Sequence, residues 1–152
     1  MSGSTIGVQY AVELPDMPER DAFRHWARAA LTAAERHGAL AIRIVDEAES
    51  AALNRQWRGK QGPTNVLSFT AVIPPGVDVA ELGDIVICAP VVAREAAQQH
   101  KPPAAHWAHM VVHGVLHLLG HDHGDEPDAL RMETLETEIL ASLGFPDPYQ
   151  AA

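Results

Sequence analysis

Apolar residues change their period several times along the chain, and each change marks an element. Residues 6–14 alternate loosely between apolar and polar, which predicts a first strand. Phe23, Trp26, Ala27, Ala30 and Leu31 then recur at helical spacing, so a helix runs to about Arg36, capped by Asp16, with Pro18 near its start and Gly38 at its end. Leu40, Ile42 and Ile44 share one face of a second strand, with Arg43 on the other. Asp46 followed by Glu49 resembles a capping box and opens a short helix through Trp57. Residues 58–63, Arg-Gly-Lys-Gln-Gly-Pro, cannot continue it and read as a loop. Residues 65–72 form a third strand, Ile73-Pro-Pro-Gly is a break, and residues 82–88 form a fourth strand.

The second half is helical. One helix opens at Ala89-Pro90 and ends near His100, and another begins at Pro102-Pro103. A last helix opens at Glu126-Pro127-Asp128 and stops at Gly144 and Pro146, with Leu130, Met132, Leu135, Ile139, Leu140 and Leu143 apolar. Its acidic residues read as a solvated face, and residues 146–152 as a loose tail. This order predicts a single α+β domain over residues 1–152: a mixed sheet of about four strands, helices packed on it, and a central buried helix.

Composition narrows the class. A chain of 152 residues, 47% hydrophobic and 20% charged, fits one soluble globular domain. The single cysteine, Cys88, lies in an apolar run and reads as a small core residue, which suits a reducing cytoplasm. The N-terminus lacks the basic-then-apolar pattern of a signal peptide. No acidic residue, Arg or Lys lies between Lys101 and Asp122, but five histidines and two prolines there rule out a membrane span. A net charge of −9 counts against a diffuse nucleic-acid binder. A local positive site is still available at Arg55, Arg58 and Lys60. In the loop at 58–63 the glycines let backbone approach a phosphate, and Arg58 offers a fork matched to its oxygens; the alternative is an exposed turn of solvated charges.

The candidate chemistry lies at His113-Gly-Val-Leu-His117-Leu-Leu-Gly120-His121-Asp122-His123. Residues four apart share a helix face, so His113 and His117 can aim two imidazoles at one point. Gly120 supplies a left-handed turn that ends the helix, and His123 can return to the same point. Three imidazoles with a fourth position open are the ligand set of a catalytic zinc. Nine His and eleven Gly placed at random give this spacing with probability about 0.002. On a helical wheel His106 and His109 share the face of His113 and His117, but farther from its end, so they line a groove rather than ligate. Val111, Val115, Leu118 and Leu119 face the core. His121 is a substrate contact or simply exposed, and Asp122 is placed to accept from a ligand histidine. The outline resembles the zinc-protease motif H-E-x-x-H-x-x-G-x-x-H, except that the general-base Glu is replaced by Gly114, which argues against peptide hydrolysis.

H-G-x-L-H-L-x-G-x-D-H also resembles the signature of the YbeY family, bacterial metal-dependent endoribonucleases of ribosomal RNA maturation. Asn54-Arg55-Gln56-Trp57-Arg58-Gly59-Lys60, Pro63-Thr64-Asn65-Val66-Leu67-Ser68-Phe69 and Leu82-Gly83-Asp84-Ile85 are similar to further family segments, and the likeness runs from about residue 38 to 144. Asn65 stands where the family usually has Asp, so this position carries no charge. The resemblance implies cleavage of single-stranded RNA, a ribosomal RNA precursor, with one Zn2+ per chain on His113, His117 and His123. It makes Arg58 the leading catalytic side chain outside the metal, Arg55 and Lys60 RNA contacts, and the ribosome or its small subunit a partner. Asp84 would orient a ligand histidine, hold a second ion, or make a structural hydrogen bond at a strand end.

Two other readings keep the same residues: a zinc hydrolase acting on a substrate other than RNA, and a non-catalytic ribosome-assembly factor with a structural metal. The second is disfavoured because structural zinc sites close all four positions with protein ligands, usually including Cys, and none lies nearby. Imidazoles also suit nickel, copper and iron, so the sequence leaves the native metal open, as it does the general base and the oligomeric state.

Overall fold

The computed structural model describes residues 5–71, 81–121 and 126–149. The break expected at 73–76 lies outside them. Four strands, β1 (Thr5–Tyr10), β2 (Ala39–Val45), β3 (Val66–Thr70) and β4 (Glu81–Cys88), form one sheet in the order β1-β2-β4-β3. β1 and β4 run parallel to β2, whereas β3 lies antiparallel to β4 at the edge. The helices are α1 (Arg20–Ala33), α2 (Glu47–Arg58), α3 (Ala89–Gln98), α4 (Pro103–Leu118) and α5 (Glu126–Ser142). The expected mixed sheet with helices packed on it is the architecture observed.

Strand periodicity sorts the sheet into two faces. Leu40, Ile42 and Ile44 of β2 lie beside Gly83, Ile85 and Ile87 of β4, and these isoleucines belong to the larger core with α1 and α4. Alternate residues, Val45, Val86 and Cys88, join Leu67 in a smaller cluster on the opposite face, against which Leu53 of α2 packs. Cys88 is buried, and burial pushes its thiol up, so it serves the core as expected. Phe23 of α1 meets Trp26 and Trp107 edge-on at centroid distances of 5.7 and 5.5 Å, fastening α1 across α4.

Helix boundaries follow local chemistry with one exception. The Asp46 side chain accepts from the Glu49 amide at 2.9 Å and caps α2. Glu49 does not return the bond; its carboxylate holds Arg43 through two contacts of 2.5 and 2.9 Å. The exception is α1. It opens at Arg20 with Glu19 as a cap that makes no side-chain bond, while Asp16 sits in a left-handed turn at φ 64°. The aromatic stripe begins at Phe23, and Met17, though it packs against the core, lies in the segment before the helix.

Eleven of the sixteen residues of α4 are buried, so this helix is enclosed rather than amphipathic. It contacts α1, α3, α5, β3 and β4, the central place expected for it. At its end the Gly120 amide donates to His117 O at 3.1 Å and the His121 amide to Leu116 O at 3.0 Å. That pair of bonds is a Schellman turn, and it requires the positive φ of 99° that Gly120 adopts.

Candidate metal centre

α4 carries its histidines in a row. Successive ring centroids of His106, His109, His113 and His117 lie 6.2, 6.3 and 5.4 Å apart. The first two are buried, and the last two are partly open to solvent near the helix end. The structure thus brings His113 and His117 together, as the four-residue spacing demands. His123 and Asp122 lie outside the described residues. His121 follows the Schellman turn and is half-buried.

Gly114 explains the missing protease base. A Cβ at this position would lie 2.8 Å from Ile85 Cγ2 on the sheet. The residue after His113 therefore faces β4, away from the imidazoles, and has room for no side chain. Its carbonyl accepts from the Ser68 hydroxyl at 3.0 Å, tying the edge strand to the helix between the two histidines.

The unexpected residue is Glu136. The acidic residues of α5 were expected on a solvated face, but Glu136 is completely buried. It falls on the same stripe as Met132, Ile139 and Leu140, which are also buried, and so must point at α4. His113 Nδ1 donates to its Oε2 at 2.7 Å, and the Tyr149 hydroxyl donates to its Oε1. His109 Nε2 lies 3.3 Å from that hydroxyl and 3.5 Å from Oε2. Burial pushes the Glu136 carboxyl up, but hydrogen bonds with His109, His113 and Tyr149 outweigh it and hold it at about 2. Burial and the same carboxylate push the Tyr149 phenol up, so it stays a donor. A signal for Glu136 existed in its helical position among apolar residues. Tyr149, in the segment expected to be a tail, had none.

A second chain of bonds runs behind the first. His106 Nε2 lies 2.8 Å from Glu95 Oε1, and the Asn65 amide donates to both Glu95 oxygens at 3.1 and 3.3 Å. Asn at 65 is thus a donor to a carboxylate, a role that a charged Asp could not fill. Burial lowers the His106 pKa despite its acidic partner.

His109, His113 and Glu136 each place a ligand atom within 4.8 Å of the others, so this group could hold a metal ion. The residues also fit an ion on the other side of His113. With Nδ1 engaged by Glu136, coordination by this ring falls to Nε2, and a carboxylate behind a ligand imidazole is the arrangement that fixes such rings. His117 stands one turn on.

The remaining candidates gather around a groove of about 840 Å³. Arg58, Asp84 and Trp57 line it, as do Ser68, Phe69 and Thr70 of the edge strand. Asp84 alternates with Ile85, so it leaves the sheet on the face opposite α4. Ser68 and Thr70 pair with Ile85 and Gly83 and belong to the α4 face. The groove lies mainly on the sheet face opposite α4, where Ala41, Arg43, Asp84 and Val86 form its floor and α2 supplies Leu53, Trp57 and Arg58; among the described residues none of α4 lines it. Arg55 and Lys60 are exposed beside Arg58.

Comparison with known proteins adds to this picture. The family model described as "Endoribonuclease YbeY" matches residues 10–144. A protein named Endoribonuclease YbeY from Nitrosococcus oceani is 53% identical, over 97% of each chain. Namesakes from Halorhodospira halophila and Methylococcus capsulatus are 59% and 60% identical, over 88% of each chain. A solution structure of TM1509 from Thermotoga maritima shares the fold with a TM-score of 0.59 at 21% identity, covering 96% of this chain and 99% of its own. No described helix is long and apolar enough to cross a membrane.

Proposed function

The chain belongs to the endoribonuclease YbeY family, and from that premise we propose that it is a metal-dependent hydrolase of single-stranded RNA acting in ribosomal RNA maturation. The observation that carries the metal assignment is His113, its Nδ1 fixed by a buried carboxylate and its ring one turn from His117. We assign one Zn2+ to His113, His117 and His123. Bound there, the ion would supply positive charge to polarise a phosphoryl oxygen and to acidify water at neutral pH.

The chain's own side chains do the rest. Glu136 sets the His113 tautomer, and Tyr149 and His109 hold Glu136 in turn. Arg58, exposed in the groove, offers a bidentate guanidinium to the scissile phosphate and neutralises charge as it develops. Arg55 and Lys60 extend that cationic end along the RNA backbone. Asp84 shares the groove with Arg58 and is placed to bond a base or ribose edge. With a net charge of −9, non-specific RNA binding is weak, and presentation by the ribosome fits that balance. A cytoplasmic site fits the single buried thiol.

A second reading has one observation in its favour: the ion could sit among His109, His113 and Glu136 themselves. Both Glu136 oxygens are already bonded and the residue is buried, so an ion there would displace those bonds and meet no RNA. It would staple the fold instead.

The test is cleavage of a single-stranded RNA by purified protein with and without chelator, beside a His117→Ala variant. Cleavage is expected in the untreated wild type alone. Cleavage that survives both chelation and the substitution would overturn the proposal.

A further inference from the structure

We propose that the exposed indole of Trp57 is the platform on which one nucleobase of the RNA stacks, an inference that rests on the endoribonuclease reading above. Of the three tryptophans, Trp26 and Trp107 are buried at 6% and 3% exposure, whereas Trp57 is 62% exposed. It does not hang loose. Phe69 of the edge strand meets it edge-on, with centroids 6.2 Å apart and planes at 68°, which limits the swing of the ring.

Trp57 lines the groove directly beside Arg58, the next residue in the chain. That combination supplies the two contacts single-strand binding requires: a cation for the phosphate and an aromatic surface for the base. Asp84, which shares a sheet face with Phe69, and Arg43 line the same groove and bring polar groups to the base edge. The volume, about 840 Å³, lies in the range of sites that take small molecules or single nucleotides.

Charge makes the occupant specific. A chain of net charge −9 gains little from a diffuse field, so beyond the local cation Arg58 its affinity draws on contacts that charge does not govern. A base stacked on Trp57 is such a contact, and it would set the strand in register with Arg58. Because a stacked base must be unpaired, the same contact favours single strands over duplex.

The probe is a short single-stranded 2′-deoxy oligonucleotide, paired with an abasic strand of equal length. Dissociation constants are measured for the wild type, Trp57→Ala and Trp57→Phe, together with indole fluorescence. Trp57→Ala should weaken binding of the base-bearing strand roughly 5- to 150-fold, the worth of one base stacked on an aromatic ring, and Trp57→Phe should recover most of it. The abasic strand should bind weakly and equally to all three. The base-bearing strand should quench the wild-type indole and not Trp57→Phe, whose remaining tryptophans are buried. Equal binding of the two strands by the wild type, or equal loss toward both in Trp57→Ala, would overturn the proposal. A protein that shows this base dependence yet cleaves no RNA would refute the endoribonuclease reading alone. One that cleaves RNA without base dependence would refute the stacking alone.

Discussion

Replacing Glu136 by Gln keeps the side chain's shape and removes its charge. The wild-type carboxyl is held at about 2 instead of its ordinary 4.5, which corresponds to roughly 3 kcal/mol of stabilisation at neutral pH. Its oxygens accept from His113 Nδ1 and from the Tyr149 hydroxyl, with His109 Nε2 at 3.5 Å. A glutamine offers one oxygen and one NH2, so one of these donors meets another donor. Losing a charge-assisted bond in a fully buried place costs about 2–3 kcal/mol, or roughly 5–10 °C in the melting temperature of the metal-free protein. His113 also loses the partner that sets its tautomer, and zinc affinity should fall about 10- to 100-fold. Competition against a chromophoric chelator measures the affinity, and a thermal melt in chelator measures the stability. Zinc affinity and melting temperature both equal to wild type would refute the role given to Glu136. A loss of zinc as complete as that of His113→Ala would instead make Glu136 a ligand and favour the buried ion site.

Three further outcomes follow from neighbouring residues. Gly114→Ala puts a methyl 2.8 Å from Ile85 Cγ2, and overpacking of this kind should cost about 1–3 kcal/mol in denaturant titrations. Asn65→Asp replaces a donor to Glu95 with a like charge, so it should destabilise by about 1–3 kcal/mol at neutral pH and progressively less as acid protonates the pair. The Glu136 carboxyl is depressed in the folded state. Its contribution is therefore complete above 4.5 and is lost as pH falls toward about 2, so metal-free Glu136→Gln should show a flatter acid-stability curve than wild type across that interval.

Local signals in the sequence were sufficient for the scaffold. The Asp46 cap, the alternation from Leu40 to Ile44 and the glycine after α4 are each decided within a few residues, and each is found where the pattern put it. The meeting of His113 and His117 is of the same kind, because helix geometry alone brings residues four apart together. What the sequence did not reveal is the pairing between elements. His113 and Glu136 are 23 residues apart on different helices, and only the packing of α5 on α4 makes them partners. An acidic residue among apolar neighbours was the available hint, outweighed by the expectation that carboxylates stay in water. Tyr149 is harder still, since a single aromatic near a chain end announces no partner. Asp84 shows a third limit. Its strand was evident, but which face it joins depends on which neighbour Ile85 packs against.

The claim on which the rest stands is that His113 and His117 together hold one catalytic ion. Elemental analysis of protein purified without added metal tests it most directly, on the wild type and on His117→Ala in parallel. About one transition-metal ion per chain in the wild type, and almost none in the folded variant, is the expected result. A wild type that cleaves RNA with no metal, or a His117→Ala variant that keeps its full complement, would contradict it.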